Sequence, residues 1–223
     1  MGQLSGETVR LGATGWRTLT LIPQVMPEIL EVWPGLSLNL YGLSNSDLLS
    51  GVRAKKLDLA VMYTGQAGIG VHFDKIIDEQ VLLAGKSVET LLAGQERGAV
   101  VPAMQLRAFL QTERLILMHP EHNLGAVTRD FLTKLGVRLR RVMNVNSVVP
   151  MIDLAVAGVG VTFVPDSMAT RSEYAEVPYV RIQHEDLIQE IGLAWPADKE
   201  PNGPTRHLAD ALAREIRRDA EVG

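Results

Sequence analysis

Residues 147–165 read SVVPMIDLAVAGVGVTFVP. Ser147 is a good helix N-cap, and Pro150 falls in the first turn, where a missing N–H costs little. Met151, Ile152, Leu154, Ala155 and Val156 predict a mostly apolar helix, buried rather than half-exposed. Gly158 suits a left-handed cap, and Gly160 lets the chain turn into a strand over Val161 to Val164. A helix that starts there offers the backbone N–H groups of Asn146, Ser147 and Val148 to an outside partner. Such a helix end is a ready-made anion site.

The same strand–helix alternation extends toward both ends. Val9, Leu11 and Ala13 alternate with Arg10 and Gly12, predicting a strand that ends in the loop Thr14-Gly15-Trp16. Leu19, Ile22, Met26, Ile29 or Leu30, and Trp33 follow at helical spacing. Pro23 and Pro27 make the first turns irregular or move the true start to Pro23. Leu36, Leu38 and Leu40 predict a second strand. After the loop Gly42 to Asn45, Ser46 or Asp47 caps a helix running through Ala54, and Asp58 to Tyr63 is a third strand. Short links between such units mean parallel strands with right-handed crossovers, whose ligands gather at the carboxyl ends. Those ends lie near Thr14, Ser44 and Tyr63–Thr64.

A weaker echo follows. Strands are predicted over Gln80 to Ala84, Arg114 to Met118 and Arg138 to Val142, with short helices over Val88 to Leu92 and Pro102 to Leu110. His119 to Asn123 is a polar loop, and Leu124 to Leu135 a helix closed by Gly136. Pro178 to Ile182 and Ile188 to Trp195 are two more strands. Asn202-Gly203-Pro204 opens a last helix, where Leu208, Leu212 and Ile216 recur on one face. Two α/β halves with one strand leaving and another returning predict two lobes: 8–80 with 190–223, and 85–185, hinged near 80–85 and 185–190.

Composition excludes several classes. Hydrophobic residues make up 46% and charged ones 22% of 223 residues, enough for a sizeable core. A net charge of −4, with no Lys/Arg-rich run, makes this chain a poor holder of a phosphate backbone. No cysteine is present, so disulfides and thiolate chemistry are ruled out. MGQLSGETVRLGA has no basic stretch followed by an apolar one, and no apolar run approaches the ~20 residues of a membrane span. The expectation is a soluble, cytoplasmic protein.

Four pieces, VRLGA, LIPQVMPEILEVWPGLSLNL, LLSGVRAKKLDLAVMY and LAVAGVGVTFVP, run in an order and spacing that resembles the effector-binding domain of LysR-type transcriptional regulators. The resemblance implies an α/β fold of two Rossmann-like lobes joined by two crossover strands, as in type 2 periplasmic binding proteins, with a small effector between the lobes. It implies that a winged helix-turn-helix and a linker helix precede this domain. The chain opens at LSGETVRLGA, where that linker finishes, so the DNA-reading part is expected to be absent from it. It implies side-by-side homodimers, tetramers in the full-length protein, with the helix Leu19 to Trp33 and the second lobe's surface in contact.

The resemblance also points to positions. In the loop after the first strand, Trp16 stands where Ser or Thr is common. Thr14, the Gly15 N–H or Thr18 must then replace the hydroxyl, or Trp16 stacks on a ring. Ser44 matches the second contact of lobe one. In lobe two the resemblance points to Asn146 and Ser147, to the loop His119 to Asn123, and to Thr162. Tyr63, ending a strand at the binding edge, is a better pocket residue than Tyr174 or Tyr179.

Each has a plainer reading. Ser44 and Ser147 also serve as helix caps, Trp16 can cover the core edge, and Trp33 and Trp195 pack in lobe one. His119 and His122 sit three apart in a loop, not on one helical face, and no cysteine is near, so solvated histidines outweigh a metal site. Gly158-Val159-Gly160 follows a helix and precedes a strand, the reverse of a dinucleotide fingerprint. Gly42-Leu43-Ser44-Asn45-Ser46 lacks the second glycine of a nucleophile elbow. No nucleophile–base pair can be assembled. The expected function is therefore non-catalytic sensing of an anionic metabolite, without cofactor or metal. DNA would be reached only through the absent domain. The rival reading is a transporter's solute receptor of the same fold.

Overall fold

A computed structural model describes residues 7–63 and 68–222; the expectations that touch Thr64, residues 4–6 and Gly223 lie outside them. The elements in order are β1 (Thr8–Ala13), α1 (Gly15–Thr20), α2 (Ile22–Val32), β2 (Ser37–Gly42), α3 (Asn45–Arg53), β3 (Leu59–Tyr63), β4 (Val71–Ala84), α4 (Glu89–Leu92), β5 (Val100–Pro102), α5 (Ala103–Thr112), β6 (Leu115–Met118), α6 (Asn123–Lys134), β7 (Val142–Val145), α7 (Val148–Val156), β8 (Val161–Pro165), α8 (Asp166–Ala169), β9 (Tyr179–Gln183), β10 (Ile188–Pro196) and α9 (Gly203–Val222). They form a mixed α/β chain of two units, Met1–Ile77 with Glu190–Val222, and Asp78–Gln189. The strands β4 and β10 carry the chain from one to the other.

In the first unit β1 pairs in parallel with both β2 and β3, and β10 runs antiparallel to β3. Alternation explains the layers. Leu59 and Val61 join the core under α2 and α9, while Ala60 and Met62 point to the opposite side, against Leu48, Val52 and Leu57. A strand covered on both faces is apolar throughout, as LAVMY is. Leu208, Leu212 and Ile216 are fully buried, one per turn of α9, as their spacing predicts. Trp195 is in this core and Trp33 packs against it.

In the second unit β8, β6 and β7 are parallel, β4 is antiparallel to both β8 and β9, and β5 pairs with β9. Phe131 and Phe163 meet edge-on in its core. The helix α7 ends with a left-handed Gly158 (φ +79), whose N–H donates to Ala155 O while that of Val159 donates to Leu154 O. This is a Schellman cap.

Several expectations are corrected. For Leu19 to Trp33 the alternative of a true start near Pro23 holds, since α2 begins at Ile22; the part before it is a separate helix, α1, and the two meet at Leu21. Leu19 is 65% exposed and off the buried face, which carries Trp16, Leu21, Ile22, Val25 and Ile29. The cap of α3 is Ser44, not Ser46 or Asp47. The predicted strand Arg138 to Val142 is instead Val142–Val145, since β6 begins at Leu115 and pairs it with Val142. The strand from Gln80 begins nine residues earlier, at Val71. The helix α7 is half-exposed: Met151, Ile152 and Ala155 are buried but Val156 is not.

Candidate functional site

Parallel strands bring their carboxyl ends to one edge of a sheet. In the first unit that edge carries the loops after β1, β2 and β3. Thr14, in extended backbone, opens α1, and the Thr18 hydroxyl donates to Gly15 O at 2.6 Å. The Leu43 N–H donates to Ala13 O at 3.0 Å, tying the second loop to the first. Ser44 caps α3, accepting from the Asp47 N–H at 3.2 Å and donating to its carboxylate at 2.6 Å. Asn45 ties in the third strand: its Nδ2 donates to Tyr63 O at 2.9 Å and its Oδ1 accepts from the Tyr63 N–H at 2.8 Å. The structure thus gathers Thr14, Gly15, Thr18, Ser44 and the end of Tyr63. Gly15 is exposed, Thr14, Thr18 and Ser44 are half-buried, and Trp16 and Tyr63 are 9% exposed.

In the second unit the parallel pair β6–β7 sets the His119 loop beside Asn146 and Ser147, and the His119 N–H donates to Val145 O at 2.8 Å. His122 stands at the N-cap of α6 and Ser147 at that of α7. Neither side chain makes a capping bond, and neither helix has an acidic residue in its first turn. Gly125 is required here. A Cβ on it would sit 2.2 Å from His119 O and 2.6 Å from Met118 O, so only glycine lets α6 start this close to β6. Asn146 and Ser147 are exposed; His119, His122 and Asn123 are half-buried. The Asn123 Nδ2 donates to Gln189 Oε1 at 2.7 Å.

Thr162 does not join this edge. It is fully buried, and its hydroxyl donates to Ile116 O at 2.8 Å, inside the sheet. Its position opposite Ile116 places it two residues short of the end of β6. Among the described residues no three His, Asp or Glu side chains gather as a metal would require.

Sequence reasoning missed Asn45, Gln189 and Asp166. Asn45 follows Ser44 directly, but its partner lies 18 residues on. Asp166 follows β8 on the same edge; burial first, then Glu79, pushes its carboxyl up to about 6, against the pull of the Ser167 and Gln80 N–H groups and of Arg181. The cues for all three are pairings between distant segments, which no local pattern records.

No curated protein sequence matches the chain significantly. Solved structures do share its fold. The BenM effector-binding domain with its effector benzoate has a TM-score of 0.74 at 18% identity, covering 98% of this chain and 96% of that one. The QuiR effector-binding domain in complex with shikimate gives 0.72 at 13%, covering 96% and 99%. The Synechocystis PCC6803 CcmR regulatory domain in complex with 2-PG gives 0.76 at 16%, covering 93% and 96%. At such identities these likenesses establish the fold, the two-lobed one of type 2 periplasmic binding proteins. The family model "LysR substrate binding domain" matches residues 2–217, nearly the whole chain, and the chain belongs to that family, the effector-binding domains of LysR-type regulators.

Proposed function

We propose that this chain senses a small anionic metabolite for a LysR-type transcriptional regulator and catalyses no reaction. The observation that carries the anionic reading is the edge of the second unit, where α6 and α7 begin without side-chain caps or acidic first turns. Free first-turn N–H groups and the positive end of each helix favour a carboxylate or phosphate. The dipole contributes only ~0.3–1 kcal/mol, so hydroxyls and apolar contacts must supply the rest. Thr14, Gly15, Trp16, Thr18, Ser44 and Tyr63 are proposed contacts from the first unit, and His119, Asn123, Asn146 and Ser147 from the second.

In this proposal both units grip the effector, and its binding favours one lobe angle to the extent of its differential affinity for the two states. Homodimers, and tetramers of the full-length regulator, relay that change to DNA-binding heads in the cytoplasm. A transporter receptor of the same fold finds no support in the family match, which is to a regulator's domain.

The test is a thermal-shift screen against small carboxylates, aromatic acids and phosphate esters. A ligand at a hundred times its dissociation constant adds about 2.7 kcal/mol of stability. Asn146→Ala and Ser147→Ala are expected to weaken the hit while leaving the unliganded melting temperature nearly unchanged. Hits confined to cations, or affinity untouched in both variants, would overturn the assignment.

A further inference from the structure

The start of α6 gathers hydrogen-bond donors. The Ala126 N–H reaches back to His122 O at 3.0 Å, and the N–H groups of Asn123, Leu124 and Gly125 lie ahead of that bond. His122 supplies no capping oxygen, and the first turn carries no acidic residue. The carboxylate just before the helix, Glu121, is exposed and lies 3.6 Å from His119 Nδ1. A helix end of this kind says little alone; a side chain from another element says more.

That side chain is Gln189, the second residue of β10. Its Oε1 accepts from the Asn123 Nδ2 at 2.7 Å, which fixes the carboxamide beside the first residue of α6. The residue is only 8% exposed, yet its Nε2 has no acceptor among the described residues. A buried donor left in that state costs stability unless something accepts from it, and folded proteins keep few such groups. Burial also keeps water from competing for the bond it can give.

The cation nearest this helix start has no counter-ion. Arg129, further along α6, donates to Met118 O at 3.4 Å and to Asn144 Oδ1. Met118 O is also the carbonyl that a Cβ on Gly125 would strike, so the guanidinium lies close to the first turn. Among the described residues no carboxylate pairs with Arg129, and burial holds its pKa below the ordinary value. Backbone N–H groups, a carboxamide N–H and an unpaired guanidinium are all donors. Their complement is a group that only accepts, a carboxylate or a phosphate.

We propose that Gln189 is a specificity-determining residue of the effector site: its Nε2 donates to an oxygen of the anion held at the start of α6, the half-buried Asn123 side chain shifting to admit it. This rests on the anionic reading above and adds to it a residue from a strand that joins the two units. Gln189 stands two positions before Ile191, which pairs with Tyr63 at the end of β3. An anion bound to Gln189 is thereby tied, through one short length of backbone, to the strand that returns to the first unit.

The test is a titration of the uniformly ¹⁵N-labelled domain with inorganic phosphate and with benzoate. It is followed at the side-chain amides of Gln189 and Asn123, at the backbone amides of Asn123, Leu124 and Gly125, and at those of Asn146 and Ser147. The same titrations are run on Gln189→Met, which removes the donor, and on Gln189→Glu, which keeps an acceptor for Asn123 but sets a carboxylate where the donor was. Saturable shifts of the Gln189 side-chain amide together with the α6 amides support the proposal. So does an affinity weakened about tenfold in the methionine variant and further in the glutamate variant, with both still folded. Shifts at the helix starts that leave the Gln189 amide unmoved, or undiminished affinity in both variants, would overturn it while the effector reading stands. Equal losses in the two variants, matched by equal falls in melting temperature, would mark Gln189 as structural and overturn it too. No saturable shift at either helix start with either anion would sink both readings.

Discussion

The side chain of Asn45 pairs with the backbone of Tyr63 as a strand would, giving one hydrogen bond and accepting another across 18 residues of sequence. This stitches the start of α3 to the end of β3, in a place where Asn45 is only 9% exposed.

Asn45→Ala should accordingly cost about 2–3 kcal/mol, because a buried N–H and a buried carbonyl both lose their partner. Urea unfolding would report a lower midpoint at an unchanged slope. Asn45→Asp keeps the acceptor for the Tyr63 N–H but sets a carboxylate oxygen against Tyr63 O, so at pH 7 it should lose at least as much as the alanine variant.

Gly125→Ala and Gly15→Ala form a matched pair. The first drives a methyl group into two backbone carbonyls and is expected to lose about 3 kcal/mol or more. The second meets nothing within 4 Å and should leave the melting temperature within a degree or two, at a cost under ~0.5 kcal/mol. Differential scanning calorimetry of the two variants checks both.

Asp58→Asn should destabilise the first unit by about 2 kcal/mol at pH 7. The Arg10 guanidinium first, with help from Lys199, holds the Asp58 carboxyl well below the ordinary carboxylate range. A lowered folded-state value means stability that is present above the unfolded value and is lost as pH falls through the folded one. The gap between wild type and variant should therefore stay constant from pH 7 to about 5 and shrink below about pH 4 in thermal melts.

Asp166→Asn should act in the opposite sense. Burial, then Glu79, raises this carboxyl to about 6, so its ionised form is the one the fold disfavours. The protonated group contributes its full stability below the unfolded value of 3.8, and that contribution is lost as pH rises through about 6. Relative to wild type, the asparagine variant should gain on the order of 2 kcal/mol between pH 4 and pH 7 and then stay level. A variant that tracks wild type across that range would contradict the assignment.

Where burial imposes a period, the sequence is legible. The four-residue recurrence in α9 and the apolar run of β3 lead directly to their elements, and the parallel order of β1, β2 and β3 follows from their short links. None of the first eight residues of β4 is buried, so no apolar period marks them, and the strand from Val71 is invisible until Gln80. The start of β7 is set by its partner strand rather than by its own residues; the expected start at Arg138 lies ahead of the first pair, Leu115 with Val142. At the site, a cap for α3 is legible because capping is local, but the sequence offers Ser44, Ser46 and Asp47 alike, and the structure selects Ser44. Thr162 misleads because its neighbours in sequence do not reveal that its hydroxyl is already used by Ile116.

The loops at both edges are laced together by main-chain bonds, Leu43 to Ala13 in one unit and His119 to Val145 in the other. A main-chain bond is indifferent to which side chain hangs beside it. Substitutions at the outward positions 14, 18, 146 and 147 can therefore redraw what the edges recognise while the scaffold beneath stays as it is. Such a lineage can change its chemical vocabulary far faster than its architecture.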